Sequence, residues 1–403
     1  MGAPSIDISF IERAVSAVTR GERGIVMLWV KDTLPVSSVN PITVVTESDI
    51  PEFLTKDTVE QVKLTMKGYI NAPRKVIVYC MGIAETADTG LKDMETEDIE
   101  TVDAADAKTV DAGYKAAMRV AETIRFDYLA VPTVETDGKG EDVATWVKLM
   151  RGQKRKKIKV VLPNVAADNE GVINFTTEEI IRTETVTGTD GQKMVTDVCY
   201  TTEQYCARIA GLIAGTPMTI SCTYAPLPEL SDCTRLTDND TPVDKGEFII
   251  FYDGEKVKAV RGVNSLVTTV DGKGDSFKKI KIVEAMDMIN DDIVRTAQDS
   301  YLGKYANTYS NKCLLLTAIS SYFAQLKRDD IISSYSVGLD AEAVRLYLKG
   351  KGLQASLDDG MVKDVDDCSD EEIITADTGA SVFLSGRIKI LDAIEDIKMP
   401  IYI

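Results

Sequence analysis

The sequence predicts a multidomain protein of the α/β class, with mixed sheets and strands at both of its ends. Three observations carry that expectation. Between residues 24 and 223, continuous apolar runs of strand length alternate with segments whose apolar residues recur every three or four positions. Such alternation is the pattern of a mainly parallel sheet covered by helices. The 403 residues, 44% hydrophobic and 27% charged, suffice for two or three domains with an ample core. Both ends, where chains ordinarily fray, carry strand periodicity instead.

Residues 5–10 (SIDISF) set Ile6, Ile8 and Phe10 on one face and Ser5, Asp7 and Ser9 on the other. If extended, the first dozen residues reach about 40 Å at about 3.3 Å each, far enough to cross to an adjacent subunit. There is no basic region of the kind that opens a secretory signal, and the first apolar run is late and short. That run, residues 24–30 (GIVMLWV), reads as a fully buried strand. Short β-type runs such as Ile42-Thr43-Val44-Val45, a helix over 57–69 and a strand over 74–79 complete a small unit over 24–100. A middle unit over 101–245 follows. Its helix face Val110, Tyr114, Ala117, Ala121, Ile124 precedes a strand over 127–134, a helix over 141–150, a strand over 157–162, a helix through Tyr205, Ile209 and Leu212, and a strand over 218–223. An inserted hairpin is expected over 183–197, where turn residues sit between β-formers.

Composition excludes several functions. The net charge of −18 argues against nucleic acid as a partner, which demands a basic field. No apolar run is long enough to span a bilayer, so no membrane insertion is expected. The histidine count is zero, which removes imidazole-based triads and most catalytic zinc sites. The seven cysteines, at 80, 199, 206, 222, 233, 313 and 368, form no CxxC pair and read as core thiols. Residues 85–106 hold nine acids, but no calcium-loop spacing, and read as a solvated surface. The six bases of residues 151–159 lack stacking aromatics and read as a strand entrance. The Gly138-Lys139-Gly140 and Gly272-Lys273-Gly274 turns match no phosphate-binding pattern. No catalytic, cofactor or metal residues are assigned.

In the last third, residues 247–263 read as two strands around a Tyr252-Asp253-Gly254-Glu255 turn. Helix faces follow: Val283, Met286, Ile289, Ile293, Ala297, Tyr301; then Leu315, Ile319, Tyr322, Leu326; then a shorter helix over 341–349. Residues 380–403 end the sequence as strand, turn and strand. Val382, Leu384, Ile388 and Ile390 fall at even positions, and Ile397, Met399, Ile401 and Ile403 at odd ones. Such a terminal strand pair needs a sheet to join, in its own subunit or in a neighbour.

Several stretches, in their order, resemble the contractile phage tail sheath family. These are Pro4-Ser5-Ile6-Asp7-Ile8, Arg20-Gly21-Glu22-Arg23-Gly24, residues 260–266 (VRGVNSL), residues 281–287 (KIVEAMD), Gly303-Lys304-Tyr305-Ala306-Asn307, and the strand pair over 388–403. The likeness is dense over roughly the first 30 and last 160 residues. It is similar in kind to sheaths of Gram-positive phages, defective prophages and R-type bacteriocins. It implies a tail-sheath-like fold: a conserved domain over 246–403, drawing on both chain ends, with inserted outer domains and terminal β-arms over 1–23 and 392–403. It also implies a structural protein that stacks as sixfold hexameric discs around an inner tube, bounded by baseplate and tail terminator proteins. Such a protein assembles in the host cytoplasm and resides in a virion tail or phage-tail-like particle. Ile6, Ile8 and Phe10 would form the N-terminal arm, and Ile397, Met399, Ile401 and Ile403 the C-terminal one, hinged between Asp392 and Asp396. Pro400 suits an edge strand, because it has no N–H to leave unpaired. From 304 to 351 seven bases exceed four acids by three. Lys304, Lys327, Arg328, Arg345, Lys349 and Lys351 would then face an acidic tube. Residues 358–377 carry nine acids and read as solvated turns. The alternative is a soluble α/β enzyme using a strand-end carboxylate such as Asp127 or Glu135.

Overall fold

The computed structural model describes residues 17–35, 38–82, 102–187 and 193–402. They divide into two compact units, a larger one of residues 22–284 with 392–402, and a smaller one of residues 17–21 with 285–391.

In the larger unit the chain forms β1 (Ile25–Val30), β2 (Ile42–Val44), α1 (Lys56–Met66), β3 (Lys75–Cys80), α2 (Val102–Ala121), β4 (Tyr128–Ala130), α3 (Gly140–Gly152), β5 (Lys159–Pro163) and β6 (Val172–Phe175). A hairpin of β7 (Ile180–Thr187) and β8 (Lys193–Tyr200) leads into α4 (Thr202–Ala214) and the short α5 (Asp240–Asp244). After them come β9 (Glu247–Phe248) and the pair β10 (Ile250–Tyr252) and β11 (Val257–Ala259). Seven strands make one sheet in the order β2-β3-β1-β4-β5-β6-β9. All neighbours are parallel except the edge strand β2, which runs antiparallel to β3.

The sheet is organised around β1, whose six residues are all buried. Successive side chains of a strand point to opposite faces. Val26, Leu28 and Val30 therefore enter one core with α1 and α4, while Ile25, Met27 and Trp29 enter a second core with α2 and α3. With both faces covered, the strand has no polar side and reads as a continuous apolar run. Trp29 packs on Trp146 of α3 with ring centroids 5.6 Å apart. On the other face α4 lies against α1 so closely that a Cβ on Gly211 would stand 2.0 Å from the carbonyl oxygen of Thr65. Thr55 caps α1 by accepting the Thr58 N–H, and Thr201 with Gln204 forms a capping box on α4.

The helix α6 (Ile280–Thr296) belongs to the smaller unit from Ala285 on. After it come α7 (Tyr309–Arg328), β12 (Ile332–Leu339), α8 (Ala341–Lys351), β13 (Ala355–Ser356), β14 (Val362–Lys363), α9 (Asp370–Ile373) and β15 (Leu384–Ile390). β12 and β15 pair antiparallel from Ile332↔Ile390 to Leu339↔Leu384, with a register irregularity between Ile332 and Ser334. α7 packs along β12, with Phe323 and Tyr335 rings 5.7 Å apart. A separate small core joins Val344 and Leu348 of α8 to Ala355, Leu357, Val365 and Ile373.

Several expectations change. β1 pairs with β3 on one side and β4 on the other, so the 24–100 and 101–245 segments share one sheet. Residues 247–259 belong to the larger unit rather than to the segment that follows them. Residues 218–223 are turns rather than a strand, closed by the Ile220 N–H on the Pro217 carbonyl and the Ala225 N–H on the Cys222 carbonyl. The strand over 384–390 does sit in a sheet of its own subunit, with β12 as its partner.

Candidate assembly site

Within the smaller unit, β12 and β15 form a sheet of two strands, and among the described residues no third strand joins them. Each strand therefore presents an outer row of backbone N–H and C=O groups to no partner strand. A lone strand pair is marginal by itself and relies on packing, supplied here by α7. Along β15, Leu384, Ile388 and Ile390 are half-buried while Ser385, Arg387 and Lys389 are exposed.

The terminal segment belongs to the larger unit and pairs with no strand among the described residues. Its apolar side chains are outside: Ile394 88%, Ile397 83%, Met399 72%, Ile401 75% and Tyr402 91% exposed. Scattered exposed apolar residues are ordinary, but a contiguous run of them is the mark of an interaction surface. The root of the segment is held. Asp392 pairs with Lys279, whose ammonium also reaches Glu395 Oε2 at 3.3 Å. Glu395 Oε1 accepts from the Thr223 hydroxyl at 2.6 Å and the Ser221 hydroxyl at 3.1 Å. Arg261 donates to Asp396 at 2.6 Å. Burial pulls the Lys279 pKa down, but Asp392 and Glu395 outweigh it and hold it above its ordinary value. Both aspartates expected to bound a hinge are thus salt-bridged.

The opening segment is also tied. In the smaller unit the Gly21 N–H donates to Asp292 at 2.8 Å, and Arg20 pairs with Asp329 at 2.8 Å. In the larger unit Arg23 lies 3.3 Å from Glu284 and 3.7 Å from Asp127. Lys159, 1% exposed, reaches Glu284 at 2.8 Å, and the Tyr128 hydroxyl donates to the same carboxylate. Burial drives the Glu284 pKa up, yet Lys159 and Arg23 together bring it below the ordinary value. Burial wins at Asp127, whose pKa is raised in spite of Arg23. Asp127 also accepts the Ile25 N–H at 2.9 Å, and Glu135 accepts from Asn164 at 2.9 Å. Both carboxylates considered for catalysis are engaged in holding strand ends. Ile6, Ile8, Phe10 and Ile403 lie outside the described residues.

The six bases considered for a tube contact divide. Arg345 donates to the carbonyls of Val365 at 2.7 Å and Cys368 at 2.6 Å, and to Asp370 at 2.9 Å, so it staples its own loop. Lys304 donates to the Asp299 carbonyl, Arg328 to Gln325, and Lys349 pairs with Asp366. Lys327 and Lys351 are exposed. Among the described residues no group of three or more Cys, Asp or Glu is arranged to hold a metal, and no helix is long and apolar enough to cross a membrane. Sequence reasoning missed Arg261, Lys279 and Glu395, whose grouping spans more than a hundred positions and leaves no spacing signal.

Comparison with known proteins adds the following. Residues 107–265 match the family model of the phage tail sheath protein central domain, and residues 272–358 that of the phage tail sheath C-terminal domain. The chain is 32% identical to the tail sheath protein of Clostridium phage phiCD119, over 99% of this chain and 98% of that one. Its fold is similar to the sheath tail protein of Desulfitobacterium hafniense, with a TM-score of 0.62 at 17% identity, covering 96% of this chain and 100% of that one. It is also similar to the sheath of an extracellular contractile injection system (PVC) in its contracted state, with a TM-score of 0.60 at 12% identity, covering 100% and 98%.

Proposed function

The chain belongs to the phage tail sheath family and is a structural protein rather than an enzyme, and from that premise we propose that it polymerises by exchanging its terminal strands between copies. One observation carries this reading. A single chain holds both a two-stranded sheet with open edges and a terminal segment of exposed, alternating apolar residues with no strand partner among the described residues. Ile397, Met399, Ile401 and Ile403 then form an arm that adds a strand to the β12–β15 sheet of another copy, and Ile6, Ile8 and Phe10 form its N-terminal counterpart. Each backbone hydrogen bond contributes about 1 kcal/mol net, so one added strand is a modest link, and its repetition around every disc makes a strong net.

The finer architecture follows from the same reading. Copies stack as sixfold discs around an inner tube, between a baseplate and a terminator, in a virion tail or phage-tail-like particle built in the host cytoplasm. Contraction rearranges the copies while the arms keep them joined, and drives the tube through a cell envelope. Nucleic acid and membrane insertion have no part in it. Exposed Lys327 and Lys351, rather than the stapling Arg345, suit contact with an acidic tube, where rim charges set register at modest energetic cost. The test is deletion of residues 398–403. The account expects folded, soluble monomers where the full chain forms tubes or rings in negative-stain micrographs. Tubes that persist after the deletion would contradict it.

A further inference from the structure

We propose that Glu395 and its partners form a clasp that fixes where the terminal segment leaves the larger unit, so that the free arm begins at Ile397 rather than at Asp392. The chemistry follows from counting protons on two hydroxyls. Thr223 Oγ1 accepts the Gly262 N–H at 3.0 Å, and Ser221 Oγ accepts the Thr223 N–H at 3.2 Å. The two hydroxyls also lie 2.9 Å apart, so the contact between them takes at most one of their two protons and leaves at least one for Glu395 Oε1, which both reach. A carboxylate, which only accepts, fits that position. Its second oxygen faces two cations, Lys279 Nζ at 3.3 Å and Arg261 Nε at 3.9 Å. The same cations hold the flanking Asp392 and Asp396.

Steric room is matched as closely. A Cβ on Gly262 would stand 2.8 Å from Cys222 Sγ and 3.1 Å from Ser221 Oγ. A side chain at residue 262 would displace Cys222 and crowd the Ser221 hydroxyl. This gives the Arg261-Gly262 pair, conspicuous in the sequence without an assigned role, a physical task. Along residues 391–395 part-buried and exposed positions alternate, with the Glu395 side chain 5% exposed, and from Asp396 to Tyr402 every residue is exposed. An arm with a fixed root samples fewer directions, so less freedom is lost when it pairs. The clasp stands on the geometry of the larger unit; that the freed segment is an assembly arm rests on the function proposed above.

The test is Glu395→Gln in the full chain. The variant keeps the size and the Oε1 acceptor but turns an amide NH2 toward Lys279 and Arg261. Unassembled subunits are digested with trypsin, and cleavage after Lys398 is followed by mass spectrometry as release of residues 399–403. A protease must draw several residues on each side of the bond into an extended form, so residues 395 and 396 must come loose first. Release is expected to be about tenfold faster in Glu395→Gln, the factor that one charge-assisted contact is worth, with no faster cutting inside the folded units. Arg261→Met should act in the same direction. Equal release in the parent and both variants would overturn the clasp, as would acceleration matched by faster cutting throughout the chain. Tube formation is scored separately. A clasp that passes while the 398–403 deletion still forms tubes stands without the arm.

Discussion

The larger and smaller units solve the sheet-edge problem in opposite ways. The seven-stranded sheet buries its central strand on both faces, and most of its strands lie between two neighbours. Among the described residues the β12–β15 sheet has two strands and two open edges, and side chains stay half-exposed along β15. The first ends in short edge strands, β2 of three residues and β9 of two. On the proposed reading the second is a sheet that other copies finish, and the difference then separates the part that gives stability from the part that gives assembly.

The sharpest way to break the comparison is to truncate both sheets. Trp29→Ala, in the fully buried strand, should cost about 3–5 kcal/mol in urea denaturation, because the cavity it leaves cannot close. Ile388→Ala, half-exposed, should cost about 1 kcal/mol or less. Similar costs at the two positions would mean that the smaller sheet is as self-sufficient as the larger. Next in size is Lys159→Met, expected to cost about 3 kcal/mol, because Glu284 is left buried with fewer partners. Pairing it with Glu284→Met should recover part of that loss; a double variant no better than the single one would show that packing, not charge, dominates there.

Acid should separate the units. Against the upward pull of burial, Tyr200 and Arg182 hold Glu60, Arg151 holds Glu170, Arg208 holds Glu229 and Lys159 holds Glu284 below the ordinary 4.5. A carboxylate whose folded pKa is depressed adds stability that is present above its unfolded value and lost as the pH falls through the folded one. The larger unit should therefore melt progressively lower below about pH 4.5. Asp127, raised by burial, works in the opposite direction and softens the slope. In the smaller unit Glu372 is half-exposed and held below its ordinary value by Lys363 and the Ser369 N–H, a solvent-screened pair that adds less than the buried ones. A melting temperature that stays flat from pH 6 to pH 3 would contradict this assignment. The smallest effect on stability belongs to the arm. Ile401→Asp should change subunit stability by no more than about 0.5 kcal/mol, since the side chain is 75% exposed, while shortening or abolishing tubes by electron microscopy.

Much of this fold was legible because burial on both faces leaves a continuous apolar signature. The runs ending in Val30, Tyr79 and Leu162 announced β1, β3 and β5, and the polar β-formers flanking 188–192 announced the β7–β8 hairpin. β12 was not anticipated, because Ile332-Ser333-Ser334-Tyr335-Ser336 is rich in serine and its irregular register shifts the alternation by one residue. Residues 218–223 looked like a strand by composition, but turn geometry after Pro217 overrode propensity. The apolar character of residues 397–402 was visible as a pattern, whereas the anchoring of Glu395 was not, since its partners lie 116 to 174 positions away.

The central claim is that the β12–β15 sheet is completed by strands of other copies. Hydrogen exchange of the full chain, unassembled and as tubes, tests it most directly. In unassembled subunits the amides of residues 397–402 should exchange freely and those on the outer edges of β12 and β15 quickly. In tubes both sets should become protected together. Tubes in which residues 397–402 still exchange freely would contradict the claim.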